Sequence, residues 1–334
     1  MENARFYKVY EEPFEVFGLY GNVKTDGFKR LPDNIGQNVN DRVKELYKNT
    51  AGGRIRFATN AQSVIVKISG GGDLPWHMTN AMRHGADVYI DGAGESRFAG
   101  TLCIPVGVRE YKQEIVLGSG KKEITVFLPL YGDVVDIEIG LPEDAEVYKH
   151  TAYKHDLPVV FYGSSITQGA CASRAGRAYQ SIISRKYDLN YINLGFSGAA
   201  RAEDIIVDYM AGLEMSAFVS DYDHNAPSHE HLKNTHHRMY ERIREKHPDI
   251  PYFMITRPDF YFNEDCRTRR AIIMQSYLDA RAKGDKNVYF IDGSAFFNGE
   301  TVGDLTLEGT HPNDVGFARM AAYIGDVMAK IMKL

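Results

Sequence analysis

The sequence predicts an α/β protein in two parts. A C-terminal three-layer α/β/α domain with a parallel sheet follows an N-terminal β-sandwich of the jelly-roll kind. From Arg54 to Glu146, short segments alternate apolar and polar residues between glycine-rich turns, which is typical of antiparallel strands. After about residue 150, short apolar segments alternate with longer segments of helical spacing. This βαβα order predicts a parallel sheet with helices on both faces.

The predicted strands of the sandwich follow one another closely. They are RIRFAT, SVIVKIS, ADVYIDG, EIVLGSG, EITVFLPL and VVDIEIG. The segment GSGKK, residues 118–122, has the composition of a tight turn and predicts a hairpin between two of them. In LPEDAEVYKHTAYKHDLPVV the charge and the proline content rise and the strand pattern stops. We therefore place a domain boundary near residue 150, which gives domains 1–150 and 151–334.

The C-terminal half begins with the predicted strand LPVVFYG. The later strands are NYINLGF, MSAFVSDY, IPYFMITRP and NVYFIDG, and the helices between them are RAYQSIISRKY, AEDIIVDYMAGL, HLKNTHHRMYERIREKHP and TRRAIIMQSYLDARAKG. A last helix is predicted to open at His311, with Pro312 in its first turn. Binding sites in open parallel sheets form at the carboxyl ends of the strands, so residues that follow a strand are the candidates for function.

Composition and charge exclude several classes of protein. Of 334 residues, 44% are hydrophobic and 25% are charged, and the net charge of −5 comes without a basic stripe for nucleic acid. No apolar run is long enough to cross a bilayer, and the N-terminus has no signal-peptide core. Cys103, Cys171 and Cys266 are too few and too scattered for a disulfide framework. We expect a cytoplasmic protein with no nucleic-acid or membrane partner, and a homo-oligomer is compatible with the sequence.

Small, acidic, amide and imidazole groups concentrate at four places. GSS follows the first strand of the C-terminal half, SGAA the second and DYDHNAP the third, and LEGTHPND precedes the last helix. Acyl transfer by serine needs a nucleophile, a base, an orienting group for the base and donors for the oxyanion. Ser165 lies at a strand-to-helix turn and can be the nucleophile, while a serine that only caps the helix is the alternative.

The other three places supply partners for this serine. His311 can act as the base, and Glu308, three residues earlier, can hold its other nitrogen. The N–H groups of Ser165 and Gly198 and the side-chain amide of Asn225 can stabilise an oxyanion. The alternative for Gly198 is a tight turn, and the alternative for Asn225 is an Asx turn. The alternative for His311 is a histidine at a helix start with no catalytic role, and the alternative for Glu308 is a solvated acid in a loop.

These blocks, in this order, resemble those of the SGNH hydrolases, also called GDSL esterases. GSSITQG resembles the family's first block, with Ser165 in the place of the nucleophile. NLGFSG resembles the second and DYDHNAP the third, with Gly198 and Asn225 as oxyanion donors. EGTHPND resembles the fifth, with His311 as the base. The resemblance covers residues 155–334 and implies a serine esterase that needs no cofactor.

The sequence departs from the family's pattern at two positions. Ser164 stands before the nucleophile, where the family usually has Asp, and Glu308 stands three residues before the base, where the family also has Asp. Glutamate carries the same carboxylate on a longer arm. Either it orients His311 and completes a triad, or it points away and leaves a Ser–His dyad.

The resemblance also bears on the substrate. The N-terminal sandwich is similar to that of two-domain carbohydrate esterases, and no long apolar stretch offers a lid for lipid. We therefore expect a carboxylic ester hydrolase that removes short acyl groups, acetyl above all, from a sugar or oligosaccharide. A lysophospholipase or thioesterase is the alternative within enzymes. A catalytically inactive carbohydrate-binding protein, favoured only by Glu308, is the alternative outside them.

A stretch rich in histidine and aspartate follows the third strand of the C-terminal half. Its members are Asp221, Asp223, His224, His229, His231, His236 and His237. No zinc-type spacing such as HExxH occurs among them, so we expect no metal. Asp223 and His224 adjoin Asn225 and are candidates for binding substrate. Arg174, after the nucleophile turn, is a third candidate, with a solvated helix start as its alternative.

Overall fold

The structure is a computed structural model that describes residues 3–71, 78–92, 95–258, 263–297 and 302–334. The strands are β1 (Ala4–Lys8), β2 (Glu15–Phe17), β3 (Arg54–Thr59), β4 (Ser63–Gly71), β5 (Ala86–Gly92), β6 (Glu95–Leu102), β7 (Glu110–Val116), β8 (Lys122–Phe127), β9 (Asp133–Pro142), β10 (Val147–Tyr148), β11 (His155–Gly163), β12 (Leu189–Gly195), β13 (Ala217–Asp221), β14 (Tyr252–Ile255) and β15 (Val288–Ile291). The helices are α1 (Val23–Asp26), α2 (Asp33–Gly36), α3 (Asp41–Leu46), α4 (Asn80–His84), α5 (Ser165–Gln168), α6 (Tyr179–Tyr187), α7 (Asp204–Ala211), α8 (His229–Lys246), α9 (Glu264–Ala282), α10 (Val302–Leu305) and α11 (Asp314–Met332).

The N-terminal half forms the predicted β-sandwich. One sheet has the order β1-β9-β4-β7, and the other has the order β10-β3-β8-β5-β6 with β2 paired to β3. All these pairs are antiparallel. Side chains of both sheets share one apolar core, for example Val66 and Ile139 from the first and Phe57 and Val126 from the second. The alternating pattern therefore predicted the strands of this sandwich.

The hairpin predicted at GSGKK is wrong. Strand β7 pairs with β4 in one sheet, whereas β8 pairs with β3 and β5 in the other. Residues 118–122 therefore carry the chain across the sandwich. Gly118 and Gly120 do adopt positive φ angles of 90° and 84°, as turn glycines commonly do. Turn composition reports this local backbone geometry, but it does not report whether the flanking strands pair.

The C-terminal half forms a parallel five-stranded sheet of order β12-β11-β13-β14-β15, as predicted. Strand β11 is apolar on both faces because both faces are covered. Val159 and Phe161 belong to one core, which includes residues of α6 and α11, and Val160 and Tyr162 belong to the core that includes α7 and α8. Within the described residues no helix combines the length and the apolar character that a membrane span requires.

The last helix begins later than predicted. The side chain of Asn313 accepts hydrogen bonds from two N–H groups of the first turn, and α11 starts at Asp314. This asparagine cap leaves His311 and Pro312 in the preceding loop instead of the first turn. A hydrogen bond of 2.9 Å from the Leu307 N–H to the His311 carbonyl closes that loop. The structure thereby holds His311 on a short, closed loop near Ser165, which follows the carboxyl end of β11.

The two halves are joined by buried polar contacts. The guanidinium group of Arg30 donates to the carbonyl oxygens of Asn49 at 2.9 Å and Gly195 at 2.5 Å, and it lies 4.5 Å from the ring centre of Phe196. Burial lowers the pKa of Arg30 to about 9. Carbonyl oxygens satisfy this buried cation, so Arg30 ties the N-terminal region to the carboxyl end of β12.

Candidate active site

Strands β12 and β13 lie on opposite sides of β11, which makes the carboxyl end of β11 the switch point of the sheet. Ser165 begins the four-residue helix α5 directly after this strand. The turn between them is tight. A Cβ atom at Gly163 would lie 2.1 Å from the Thr167 hydroxyl and 2.3 Å from the Asp221 carbonyl oxygen, so only glycine fits there. Ser164 is the residue that caps α5, with its Oγ accepting from the Ile166 N–H at 3.2 Å.

Ser165, His311 and Glu308 converge in one chain of hydrogen bonds. The Oγ of Ser165 lies 2.8 Å from Nε2 of His311, across 146 residues of sequence. On the other side of the ring, Nδ1 of His311 lies 2.5 Å from Oε1 of Glu308. The same Oε1 accepts the backbone N–H of His311 at 3.1 Å. Glu308 therefore points toward the histidine and holds both its ring and its main chain.

Gly198 and Asn225 flank the serine from the neighbouring strands. Gly198 has a φ of 71°, and the space where a Cβ would lie is open to 4 Å. The Oδ1 of Asn225 accepts the Ala200 N–H at 3.2 Å. This contact uses the oxygen of the amide and leaves its NH₂ group as the donor end. Ser165, Gly198 and Asn225 thus follow the three neighbouring strands β11, β12 and β13, and their expected role as oxyanion donors stays a prediction.

The N-terminal half contacts the turn between β11 and α5, which carries Ser165. The hydroxyl of Tyr131 donates to the carbonyl oxygen of Ser165 at 3.4 Å, and the side chain of Gln168 donates to the carbonyl oxygen of Leu130 at 3.1 Å. Leu130 also fills the space beside Gly169, where a Cβ would lie 2.6 Å from its Cδ1. The sequence did not single out these residues, because only the docking of the two halves brings them to the site.

Arg174 lies against the sandwich. Its Nη1 donates to the carboxylate of Asp87 at 2.9 Å and to the hydroxyl of Tyr89 at 2.7 Å. Its guanidinium carbon lies 3.8 Å from the ring centre of Phe98. The carboxylate of Asp87 also accepts the Gly176 N–H at 2.7 Å. Arg174 thus anchors the segment after Ser165 to the N-terminal half, and its expected contact with substrate stays a prediction.

Asp223 and His224 share with Asn225 a short 3₁₀ turn after β13. Asp223 accepts the Arg257 N–H at 3.2 Å, and burial raises its pKa to about 6. Burial, aided by the positive charge of Arg257, lowers the pKa of His224 to about 3, so its ring is neutral at physiological pH. In the described part of the chain, Oδ1 of Asp223 and Nε2 of His224 are buried without a hydrogen-bond partner. Their expected role in substrate binding stays a prediction.

The histidines of α8 disperse to separate partners. His229 pairs with Asp265, His231 with the carbonyl oxygen of Arg201, and His237 with Glu241. His236 is buried and stacks on Tyr222. One group of side chains in the described ranges is close enough to hold a metal ion, and it contains none of these histidines. It consists of Cys171, Glu308 and His311. Burial, aided by the charge of Glu308, raises the pKa of the Cys171 thiol to about 12.

Asp221 is buried behind the nucleophile turn. Its carboxyl group contacts the hydroxyls of Thr167 at 2.9 Å and Tyr179 at 3.3 Å. Burial, with a smaller contribution from the charge of Asp223, raises the pKa of Asp221 from 3.8 to about 8. Between these two pH values the folded protein binds more protons than the unfolded chain. The free energy of unfolding therefore falls as the pH rises through this window.

We expect Asp221→Asn to raise the melting temperature relative to the parent at pH 8 and to lose this advantage toward pH 4. The amide cannot ionise, so it avoids the cost of a buried charge. Thermal unfolding followed by circular dichroism at pH 4, 6 and 8 measures the difference. Asp249→Asn, at an exposed position, is the control and should show no such trend. A difference that is the same at all three pH values contradicts the prediction.

The comparisons with known proteins agree with this fold. The model of the GDSL-like lipase/acylhydrolase family matches residues 156–330, and a model of the N-terminus of SGNH-hydrolase-type esterases matches residues 4–147. The fold and these matches define an SGNH-type hydrolase. The chain belongs to the GDSL-like lipase/acylhydrolase family, which confirms the resemblance drawn from the four blocks. No curated protein matches the chain.

Solved structures resemble the chain over both halves. A protein described as a GDSL-like lipase, from Bacteroides ovatus ATCC 8483, is 31% identical, with a TM-score of 0.88 over 99% of this chain and 98% of that one. The salicylyl-acyltransferase SsfX3 of a tetracycline biosynthetic pathway is 21% identical, with a TM-score of 0.82 over 98% and 97%. A family two carbohydrate esterase from Clostridium thermocellum is 14% identical, with a TM-score of 0.62 over 84% and 92%. The last two likenesses concern the fold alone.

Proposed function

We propose that this protein is a serine esterase that removes short acyl groups, acetyl above all, from carbohydrate. The observation that carries the proposal is the 2.8 Å contact between the Ser165 hydroxyl and Nε2 of His311, with Glu308 on the opposite nitrogen. A serine that only capped a helix would not need a histidine on its hydroxyl. In this structure Ser164 is the residue that caps α5.

The proposed reaction proceeds in two halves. Ser165 Oγ attacks the ester carbonyl carbon while Nε2 of His311 takes its proton, and the carboxylate of Glu308 stabilises the imidazolium through Nδ1. Collapse of the tetrahedral intermediate breaks the ester C–O bond, and the imidazolium gives its proton to the leaving sugar oxygen. Water, deprotonated by the same histidine, then releases the acyl group as a carboxylic acid. The reaction requires no cofactor.

The oxyanion of each tetrahedral intermediate is proposed to lie between the N–H groups of Ser165 and Gly198 and the amide of Asn225. We expect Asn225→Ala to lower kcat for p-nitrophenyl acetate by about 10²–10³-fold with a smaller change in KM, because the donor acts mainly on the developing charge. Steady-state kinetics measure this split. Asn60→Ala, at a partly exposed position of the sandwich, is the control. A fall of less than about threefold would remove Asn225 from the proposed oxyanion hole.

The carbohydrate substrate is supported by the two-domain layout. The N-terminal sandwich packs beside the nucleophile turn, and family two carbohydrate esterases share this fold, one of them solved in complex with cellohexaose. Leu307 and Val315, on either side of His311, are 53% and 51% exposed. Two exposed apolar side chains offer contact to a sugar ring or a short acyl chain, but they do not form a covered channel for a long one.

A panel of esters tests the substrate class. We expect acetylated xylo- and manno-oligosaccharides to be deacetylated with a higher kcat/KM than long-chain esters, since the exposed side chains of Leu307 and Val315 do not form a covered channel for a long chain. Acetate release and p-nitrophenol release from C2 to C12 esters measure the preference. The Ser165→Ala variant, assayed in the same way, is the control for spontaneous hydrolysis. A clear preference for acyl chains of C8 or longer would contradict the carbohydrate proposal and favour a lysophospholipase or thioesterase.

We also propose that the protein works in the cytoplasm. The support is the cysteine content: Cys103, Cys171 and Cys266 form no disulfide with one another, as a reducing compartment favours. Alkylation of thiols in cell extract, followed by mass spectrometry, would test this location.

A further inference from the structure

Cys171 lies beside the acid and the base of the proposed triad, and the proposed reaction does not use it. Its Sγ, a carboxylate oxygen of Glu308 and a ring nitrogen of His311 all lie within 4.8 Å of one another. Cys171 is half-buried in the turn after the nucleophile and has a φ of 69°. Such a backbone angle is uncommon for a residue other than glycine. The fold thus holds a thiol, an imidazole and a carboxylate together from two separate loops.

We propose that Cys171, Glu308 and His311 form a Zn²⁺ site and that zinc bound there inhibits the enzyme. Thiolate, imidazole and carboxylate are the ligand types that zinc takes in proteins, at about 2.0–2.3 Å. In a tetrahedral site such bonds set neighbouring donor atoms about 3.3–3.6 Å apart. The three donors, all within 4.8 Å of one another, would have to approach by about 1.5 Å at most to reach this spacing. Three protein ligands leave the fourth position of the metal to water or to an anion.

Zinc on His311 removes the proposed base whichever ring nitrogen it takes. On Nε2, the metal occupies the lone pair that would accept the proton of Ser165. On Nδ1, it takes the place of the proton that faces Glu308, and the neutral ring then carries its proton on Nε2, where it cannot accept another. The Cys171 thiol loses its proton to solvent as the Zn–S bond forms, so no oxidant or reductant is involved. The inhibition rests on the proposed function, whereas the binding of zinc does not.

The site is tested with ZnCl₂ as the probe and MgCl₂ as the comparison, because magnesium prefers oxygen ligands. Calorimetry of the wild-type protein is expected to show one zinc per chain, and saturating zinc is expected to suppress hydrolysis of p-nitrophenyl acetate. Cys171→Ser should weaken both effects by about 10–100-fold or more, because losing a direct ligand costs at least as much as losing an outer-shell partner. Cys103→Ser, at a partly exposed thiol outside this cluster, should behave like the wild type.

Cobalt supplies a readout that does not depend on activity. Co²⁺ should give a thiolate-to-metal charge-transfer absorption in the wild type and in Ser165→Ala, and Cys171→Ser should lack it. Zinc inhibition that persists unchanged in Cys171→Ser, or a wild-type protein that neither binds zinc nor shows the cobalt band, would overturn the proposal. If the band and zinc binding are present while no form of the protein hydrolyses esters, the metal site stands and the proposed esterase function fails.

Discussion

Replacing Ser165 with alanine is expected to lower kcat for p-nitrophenyl acetate by about 10⁴–10⁶-fold. The reason is that its Oγ is the proposed attacking atom and lies 2.8 Å from Nε2 of His311. The remaining rate would come from the oxyanion donors and from substrate binding. A fluorophosphonate probe followed by peptide mass spectrometry gives a second measurement, since the parent protein should be labelled at Ser165 and the variant should not be labelled.

Ser164→Ala is the matched control for this prediction. Ser164 is the neighbouring hydroxyl, and it accepts the Ile166 N–H as the cap of α5. Removing the cap should cost about 1 kcal/mol of stability and leave probe labelling of Ser165 in place. If Ser165→Ala kept the parental rate, or if the probe labelled Ser164, the assignment of the nucleophile would be wrong.

The sequence predicted that the blocks following the strands would lie close together, because a parallel sheet brings the carboxyl ends of its strands to one edge. Ser165, Gly198 and Asn225 each follow a strand of this sheet, and strand order alone places them side by side. His311 was identified by its sequence block, although the helix that it was expected to open starts at Asp314. Local periodicity therefore predicted the sheet, whereas the candidate site residues came from the sequence blocks that follow its strands and precede its last helix.

Contacts that depend on the docking of the two halves could not be predicted in the same way. In the sequence, Arg30 is one basic residue in a loop, yet the structure buries it against carbonyl oxygens of both halves. The sequence suggests that Arg174 is solvated or contacts substrate, yet in the structure it is paired with Asp87 of the sandwich. The crossover at residues 118–122 depends in the same way on which strands pair across a distance. Such partners follow from long-range packing, and the domain boundary near residue 150 likewise stays a prediction.

Glu308 is the position where the sequence left two mechanisms open. We expect Glu308→Gln to lower kcat for p-nitrophenyl acetate by about 10³–10⁴-fold. The amide keeps the length of the side chain but removes the charge that would stabilise the imidazolium. Its NH₂ group can also donate to Nδ1 of His311, which favours the tautomer with the proton on Nε2, where it blocks proton transfer from Ser165. Steady-state kinetics and the rate of fluorophosphonate labelling measure the loss.

Glu308→Asp separates the charge of this residue from its reach. The carboxylate is kept, but the arm is one methylene shorter, and in this loop a single oxygen of Glu308 serves both Nδ1 and the backbone N–H of His311. Aspartate should therefore retain more activity than glutamine and less than the parent. If Glu308→Gln stays within about tenfold of the parent, the carboxylate contributes little and the site works as a dyad. If aspartate and glutamine fall equally, the geometry of this loop matters more than the charge, which would explain why a glutamate stands where the family usually has an aspartate.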